Sequence, residues 1–233
     1  MSSTMNKGSK RARGNAKKVT PDRIYPLAEA VAVLKATAGV KFDETVEIAV
    51  NLGIDTKKGE QAVRGAVALP HGTGRSRTVI AFVKDPEKQA AARAAGAIEV
   101  GADELVKKVA DGWTGFDVAI AAPDMMGQVG KLGKVLGPQG KMPTPKAGTV
   151  TPKVAEAVRE FAAGKIEFRA DAGGTVHAPV GKRSFDDDKL VENVRALIDT
   201  LVHMKPPTAK GTYLKKVFLT TTMGPSVAVD MAS

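Results

Sequence analysis

Hydrophobic and polar residues follow two different periods along this chain of 233 residues. Residues 45–52 alternate apolar and polar side chains, which predicts a strand with one buried face. The runs 78–83 and 116–122 are almost continuously apolar, as expected of strands that are covered on both faces. Residues 87–95 and 103–110 have the composition of helices. Because strands and helices alternate here, the middle of the chain predicts a compact parallel α/β unit.

The segments on either side of this unit have an antiparallel character. Residues 165–170 alternate in polarity and predict a hairpin with residues 175–179 across the short turn between them. Two more strands are predicted at 213–222 and 226–230, separated by a turn that contains glycine and proline. The two ends of the chain therefore predict a second sheet of a different kind.

The domain boundaries follow from this change of pattern. The predicted fold class is α/β, with an α+β split domain of residues 21–72 plus 164–233 and an inserted α/β domain of residues 73–163. Residues 1–20 are predicted to be a basic, polar N-terminal arm and not an amphipathic helix. The chain would then cross twice between the domains, and the two crossings would form a hinge.

Three of the predicted helices begin at residues that commonly cap helices. Asp103 is predicted to cap the helix that follows it. Thr151 is predicted to cap a helix that runs to residue 163, with a proline at the first helical position. Ser184 is predicted to cap a helix that ends near residue 204 and carries acidic residues in its first turn.

The net charge of +10 and the pI near 9.7 indicate an anionic partner, either nucleic acid or a membrane surface. The positive charge is clustered, since two segments hold most of the excess. The first segment, residues 1–20, contains no acid and these bases: Lys7, Lys10, Arg11, Arg13, Lys17 and Lys18. Solubility alone would not require such clustering.

The second basic segment, residues 124–153, combines glycine, proline and lysine at a density that a packed core element does not tolerate. Asp124 is its only acid, against these lysines: Lys131, Lys134, Lys141, Lys146 and Lys153. We therefore predict an exposed cationic surface with stiff turns that lies against a polyanion.

Signals for catalysis, cofactors and metals are weak in this sequence. The glycines at 72 and 74 precede a strand and lack the third glycine of a dinucleotide fingerprint, because position 77 is arginine. Lys134 is followed by valine, where a phosphate-binding loop requires serine or threonine. The histidines lie far apart and there is no cysteine, so no metal-ligand spacing is present. We expect no enzyme activity, no cofactor, no metal and no small-molecule substrate.

Membrane association is also not expected from the sequence. No apolar run reaches the length of about 18 residues that a spanning helix needs. The basic N-terminus lacks the apolar segment of a secretory signal, although a mitochondrial presequence remains an alternative for it. A chain without cysteine is compatible with a reducing cytoplasm.

Three places carry candidate RNA contacts, and each has an ordinary structural alternative. Residues 41–45 offer a cation, a ring and a hydroxyl, but Phe42 could be a core residue and Lys41 a solvated charge. The threonine-rich turn at 220–225 places hydroxyls and a glycine at a strand end, as an ordinary hairpin would. Arg169 could face RNA or pair with a nearby aspartate. Aromatic residues make up only 4% of the chain, which disfavours a wide stacking platform.

Several sequence strings are characteristic of one known family. They occupy residues 41–45, 63–65, 69–72, 126–151, 165–169, 177–182 and 220–225. On these strings the chain closely resembles the bacterial-type ribosomal protein L1 family, from about residue 18 to residue 230. The long glycine- and lysine-rich signature and the final threonine–methionine–glycine turn are highly specific together.

The resemblance implies a structural protein of the large ribosomal subunit that binds large-subunit rRNA and forms the mobile stalk near the tRNA exit site. The split domain would be the main RNA binder, and the inserted domain would be Rossmann-like and three-layered without being a dinucleotide enzyme. The family moves with deacylated tRNA and assists its release, and many bacterial members repress their own messenger. The implied partners are therefore stalk rRNA, exit-site tRNA and the chain's own mRNA leader, in the cytoplasm.

The RNA contacts of the family match particular positions of this sequence. They are Lys41, Phe42, Thr45, Glu47, Arg169, Thr222, Met223 and Gly224, of which Glu47 and Arg169 are the weaker matches. The charge clustering described above separately predicts a secondary basic surface, formed by Lys131, Lys134, Lys141 and Lys146. Lys141 and Ala172 depart from the family pattern, in which leucine and lysine are usual at these positions.

Overall fold

The computed structural model describes residues 9–20, 23–37 and 39–230. The described chain forms two compact units. The first unit contains the described residues of Met1–Val63, Leu69–Gly74 and Phe168–Ser233, and the second contains Arg64–Ala68 and Arg75–Glu167. The first unit is thus assembled from both ends of the chain.

The described strands and helices are numbered in chain order. The strands are β1 (Ile24–Tyr25), β2 (Thr45–Leu52), β3 (Arg64–Val67), β4 (Val79–Phe82), β5 (Glu99–Gly101), β6 (Val118–Ala121), β7 (Ile166–Arg169), β8 (Thr175–Lys182), β9 (Leu214–Thr221) and β10 (Val227–Val229). The α-helices are α1 (Lys10–Ala16), α2 (Leu27–Ala36), α3 (Pro86–Ala94), α4 (Asp103–Ala110), α5 (Met126–Val129), α6 (Gly133–Leu136), α7 (Val154–Ala162) and α8 (Asp187–His203). Single 3₁₀ turns lie at Gly59–Gln61, Pro123–Met125, Gly130–Leu132 and Pro145–Ala147.

The first unit is built on a five-stranded sheet with the order β1-β10-β9-β2-β8. Strand β2 lies between β9 and β8 and is antiparallel to both. Strand β1 is short, lies at the edge and runs parallel to β10. The bounds of β2 are those that the alternation of polarity predicted.

One face of this sheet is covered by α2 and α8. Alternate residues of β2 are buried on that face: Val46, Ile48, Val50 and Leu52. Leu34 of α2 and Leu197 of α8 are buried with them. Each such side chain contributes roughly 1.5–3 kcal/mol relative to its exposed state. On the opposite face Glu47 and His177 are exposed, so this face presents polar groups to solvent.

The second unit contains a three-stranded parallel sheet with the order β5-β4-β6. Val79 and Ala81 of β4 pack in the cluster formed with α3 and α7. Ile80 and Phe82 of the same strand pack in the cluster formed with α4, α5 and α6. Because β4 is buried on both faces, the unit has three layers, and the predicted α/β fold class is confirmed.

The short strand β3 belongs to the second unit, although the sequence analysis placed its residues in the first domain. Arg64 of β3 forms an ion pair of 2.9 Å with Glu167, which also belongs to the second unit. Ala66 packs against the core cluster of that unit. Such contacts join residues that are distant in sequence, and the local pattern does not reveal them.

The three predicted helix caps are wrong. Asp103 lies in the first turn of α4, after Ala102. Helix α7 begins after Lys153, because the Thr151 hydroxyl accepts a hydrogen bond from the Lys153 N–H at 3.2 Å and closes a turn before the helix. The Ser184 hydroxyl donates to Asp43 Oδ2 at 2.8 Å, and α8 begins three residues later.

The predicted hairpin between 165–170 and 175–179 is also wrong as a strand pairing. Strand β7 pairs with β3 in a two-stranded sheet, whereas β8 pairs with β2. Only an isolated bridge between Ala170 and Val176 joins the two predicted hairpin arms within the described chain. Alternation predicted both strands correctly, but it does not specify which partner each strand takes.

Part of the predicted N-terminal arm is helical. Ser9 caps α1, since its hydroxyl accepts a hydrogen bond from the Ala12 N–H at 3.2 Å. Asn15 of this helix is buried. The predicted polar arm thus contains a short helix at residues 10–16, which shows no apolar periodicity because it docks through polar groups. Residues 1–8 of the predicted arm lie outside the described residues.

Candidate nucleic-acid interface

The start of β2 and the end of β9 lie side by side at one end of the five-stranded sheet. Val46 of β2 is paired with Thr221 of β9. Beyond this pair, the Thr222 N–H donates to the Thr45 carbonyl at 3.1 Å, and the Thr45 N–H donates to the Thr222 hydroxyl at 3.1 Å. The structure therefore joins two of the candidate segments that the sequence analysis singled out.

Each of these two segments exposes a large apolar side chain. Phe42 is 54% exposed and Met223 is 50% exposed. The alternative in which Phe42 is a core residue is therefore excluded. Lys41, beside Phe42, is also exposed. An exposed ring and a flexible thioether provide apolar contact for nucleobases, and a lysine provides a charge for phosphate.

A buried carboxylate, which the sequence analysis missed, holds the backbone beneath this surface. Glu44 is only 1% exposed, and its Oε1 accepts a hydrogen bond from the Met223 N–H at 3.0 Å. Its Oε2 lies 2.9 Å from Nη1 of Arg183. Nη2 of Arg183 donates to the carbonyl oxygens of Lys35 and Thr37, at 2.9 and 2.6 Å. The Met223 turn is thus tied to the end of α2 through one ion pair, in which Glu44 is buried and Arg183 is partly exposed.

A signal for Glu44 was present in the sequence. Glu44 precedes Val46 by two positions, so the alternation of β2, extended by one step, places it on the buried face. A carboxylate there requires a cationic partner, because an unpaired buried charge is costly. The partner, Arg183, lies 139 residues away, and no local pattern identifies it.

The Thr222 hydroxyl serves the fold as well as the surface. It accepts from the Thr45 N–H and lies 3.4 Å from the Thr45 carbonyl, to which it donates. We expect Thr222→Val to lower the free energy of unfolding by about 1 kcal/mol, because the Thr45 N–H loses its acceptor. Urea unfolding measures this change. Thr222→Ser keeps the hydroxyl and serves as the control, and wild-type stability in Thr222→Val would contradict this role.

Packing within the turn explains why position 224 is glycine, without any contact with RNA. A Cβ at this position would lie 2.2 Å from the Oγ1 atom of Thr221, whose side chain is buried. The Gly224 N–H also donates to the Thr221 carbonyl at 3.0 Å, which closes the turn. Absence of a side chain at Gly224 therefore allows the turn to form and also leaves its backbone open to a close approach.

Thr45 and Glu47 lie on the exposed face of β2. The Thr45 hydroxyl accepts a hydrogen bond from Lys182 Nζ at 3.0 Å. Glu47 is exposed and lies in register with Thr220 on β9 and Pro179 on β8. Its carboxylate can accept hydrogen bonds from a 2′-hydroxyl or a base amino group, which lysines cannot do.

Arg169 lies apart from this cluster. Its neighbour Ala170 forms a bridge with Val176, which is paired with Val50 of β2. Val50 follows Thr45 by five positions, which corresponds to roughly 17 Å along a strand. Arg169 is exposed, but it lies towards the other end of β2.

The predicted secondary basic surface belongs to the second unit. Lys131, Lys134 and Lys146 are exposed there. Lys141 is not free, because its Nζ donates to the Thr114 carbonyl at 3.0 Å and lies 5.2 Å from the centre of the Phe116 ring. The prediction of an exposed cation is therefore wrong for Lys141, which packs against its own unit.

In the ranges 9–20, 23–37 and 39–230, no group of three or more histidine, aspartate or glutamate side chains could hold a metal ion. None of the helices described there is both long and apolar enough to cross a bilayer.

An exposed ring, a thioether and a lysine at one end of a sheet offer the contacts that nucleic acids accept. The model of the Ribosomal protein L1p/L10e family matches residues 34–225. Because this match covers most of the chain, the chain belongs to that family, and the resemblance found in the sequence is confirmed. The family consists of structural, non-enzymatic proteins of the large ribosomal subunit that bind rRNA.

Proposed function

We propose that this chain binds the stalk rRNA through the end of its five-stranded sheet. This site, called the β2–β9 surface below, consists of Lys41, Phe42, Thr45, Glu47, Thr222, Met223 and Gly224. One observation supports it above the others: exposed Phe42 and Met223 lie on segments that are hydrogen-bonded to each other and held from below by buried Glu44.

The chemistry of this surface suits a folded RNA. Stacking of a base on an aromatic side chain contributes roughly 1–3 kcal/mol. Lys41 adds a phosphate contact, and Glu47 adds an acceptor for hydroxyl or amino donors. Because the Met223 backbone is already fixed by Glu44, little conformational entropy is lost when RNA binds.

The remaining candidate residues contribute at a distance from this surface. Arg169 contacts a phosphate beyond the main site. Lys131, Lys134 and Lys146 give the second unit three exposed charges for RNA phosphates. On cytoplasmic ribosomes the protein forms the mobile stalk near the exit site, and it assists release of deacylated tRNA. Membership in the family and the exposed lysines support this role.

The main proposal is tested by binding of the purified chain to a stalk rRNA fragment over a range of salt concentrations. We expect affinity to fall as salt rises, because phosphate contacts release counterions. A duplex RNA of the same length and unrelated sequence is the control. Equal affinity for both RNAs, or no affinity at low salt, would reject the proposal.

The same surface also serves to repress translation of the chain's own mRNA, whose leader imitates the ribosomal site. If one surface binds both RNAs, the leader and the stalk rRNA fragment must exclude each other. Two fluorescent labels in a native gel distinguish the outcomes. We expect each RNA to displace the other from the complex, in amounts set by their relative affinities. A complex that contains both labels would contradict the repressor function.

A further inference from the structure

The N-terminal helix α1 docks beside the β2–β9 surface. Arg11 Nη1 donates to the Met223 carbonyl at 3.3 Å. One turn further along, Asn15 is buried, and Lys18 Nζ donates to the Ala36 carbonyl at 2.7 Å. Positions 11, 15 and 18 follow the spacing of one helical face. This face therefore holds α1 against the rest of the first unit, with its first turn at the Met223 carbonyl.

The outward face of α1 carries the other cations of the segment. Lys10, Arg13 and Lys17 follow the spacing i, i+3 and i+7, and all three are exposed. Over the ranges that the structure describes, none of these three side chains forms an ion pair or side-chain hydrogen bond. Gly14 lies among them, with open space where a Cβ would be. The face thus combines three available charges with a place where another backbone can approach closely.

We infer that α1 is a phosphate-binding element that extends the β2–β9 surface along the backbone of the same RNA. This inference rests on the function proposed above. The bond from Arg11 to Met223 makes α1 continuous with that surface, so an RNA seated on Met223 passes within reach of the outward cations. We assign its outward cations to phosphates, since the phosphate and sugar groups receive half or more of the hydrogen bonds that proteins make to nucleic acid.

The composition of α1 favours RNA over a membrane as the occupant. A helix that lies on a bilayer needs an apolar face of large side chains opposite its basic face. The only apolar residues of α1 are Ala12 and Ala16, and the face opposite the free cations is occupied by Arg11 and Asn15. Charge is therefore the main attraction that this helix offers, and a polyanion is the matching partner.

The test uses the triple variant Lys10→Gln, Arg13→Gln and Lys17→Gln in the full chain. Glutamine keeps the helical propensity and removes the charge. Binding to the stalk rRNA fragment is measured from low to moderate salt. Each phosphate contact contributes about 0.7–0.9 to the slope of log K against log salt, so we expect the slope to fall by about 2–3. Thermal unfolding checks that the variant remains folded.

A matched control removes the same charge elsewhere on the first unit. Lys57, Lys205 and Lys210 are exposed, and hydrogen bonding of Gln61 to the Thr208 carbonyl places their segments together. Their triple glutamine variant should keep the wild-type slope within about 1, since only non-specific attraction changes.

The outcomes separate this inference from the proposed function. If the wild-type chain and the control bind the rRNA fragment and the α1 variant shows the wild-type slope, the helix is not a phosphate-binding element. If the wild-type chain does not bind the fragment, the proposed function is rejected, and the inference about α1 is rejected with it. Binding of the wild-type chain and the α1 variant to vesicles that contain phosphatidylserine is measured as well. If the three cations strengthen binding to vesicles, and this binding exceeds binding to RNA, the partner of α1 is a membrane and not RNA.

Discussion

Replacement of Glu44 by alanine is expected to lower the free energy of unfolding by about 2–4 kcal/mol. Removal of one partner from a buried ion pair usually costs about 3–5 kcal/mol. The cost is smaller here because the Arg183 side chain is 24% exposed and water can reach it. The Met223 N–H also loses its acceptor, so the β2–β9 surface loosens and RNA affinity falls. Urea unfolding and RNA titration measure the two effects.

A paired substitution separates stability from RNA binding at this site. Glu44→Leu with Arg183→Met replaces the ion pair by apolar side chains, which often restores much of the lost stability. Affinity for the rRNA fragment should stay low, because nothing then accepts from the Met223 N–H. If the double variant regains both stability and affinity, Glu44 has no part in positioning the Met223 turn.

The second large effect is expected from Phe42→Ala combined with Met223→Ala. Loss of the Phe42 ring alone should lower RNA affinity by about 5- to 150-fold, since stacking of a base on an aromatic side chain contributes roughly 1–3 kcal/mol. Loss of the Met223 side chain should lower the affinity further. The free energy of unfolding should change by no more than about 0.5 kcal/mol, because both side chains are exposed. Affinity is measured by titration and stability by urea unfolding.

The matched control for this pair is Ile98→Ala with Val202→Ala, which removes two other exposed apolar side chains. This control should bind RNA as tightly as the wild-type chain does. If both double variants lost the same RNA affinity, exposed apolar area would contribute to RNA binding wherever it lies on the surface. If Phe42→Ala with Met223→Ala lowered the free energy of unfolding as much as the free energy of RNA binding, these side chains would have a structural role only.

Local periodicity predicted the elements of the fold well. Alternation gave β2 its observed bounds, and the continuous apolar runs became β4 and β6, which are buried on both faces. The predicted helix caps were wrong where the side chain has another partner, as with Ser184, whose hydroxyl donates to Asp43. The predicted pairing of β7 with β8 was wrong, because β7 pairs with β3. These errors concern contacts between distant residues, which a local pattern does not contain.

For the candidate site, the sequence predicted the exposed residues but not their support. Phe42 and Met223 were identified through motifs, and the structure places them on joined segments. The candidate residues predicted from the sequence do not include Glu44, and charged residues are mostly exposed in proteins unless they are paired. Charge counting also treated all lysines alike, although Lys141 bonds to its own unit while Lys131 is exposed. Burial and long-range pairing decide these cases.

Hydroxyl-radical footprinting of the chain with and without the stalk rRNA fragment tests the central claim most directly, since it requires no substitution. Phe42 and Met223 are both reactive side chains that are about half exposed. Ile98 and Val202, which are 54% and 47% exposed, serve as internal references. The account predicts strong protection of Phe42 and Met223 together, with the references unchanged. Full reactivity of Phe42 and Met223 in the RNA complex would contradict it.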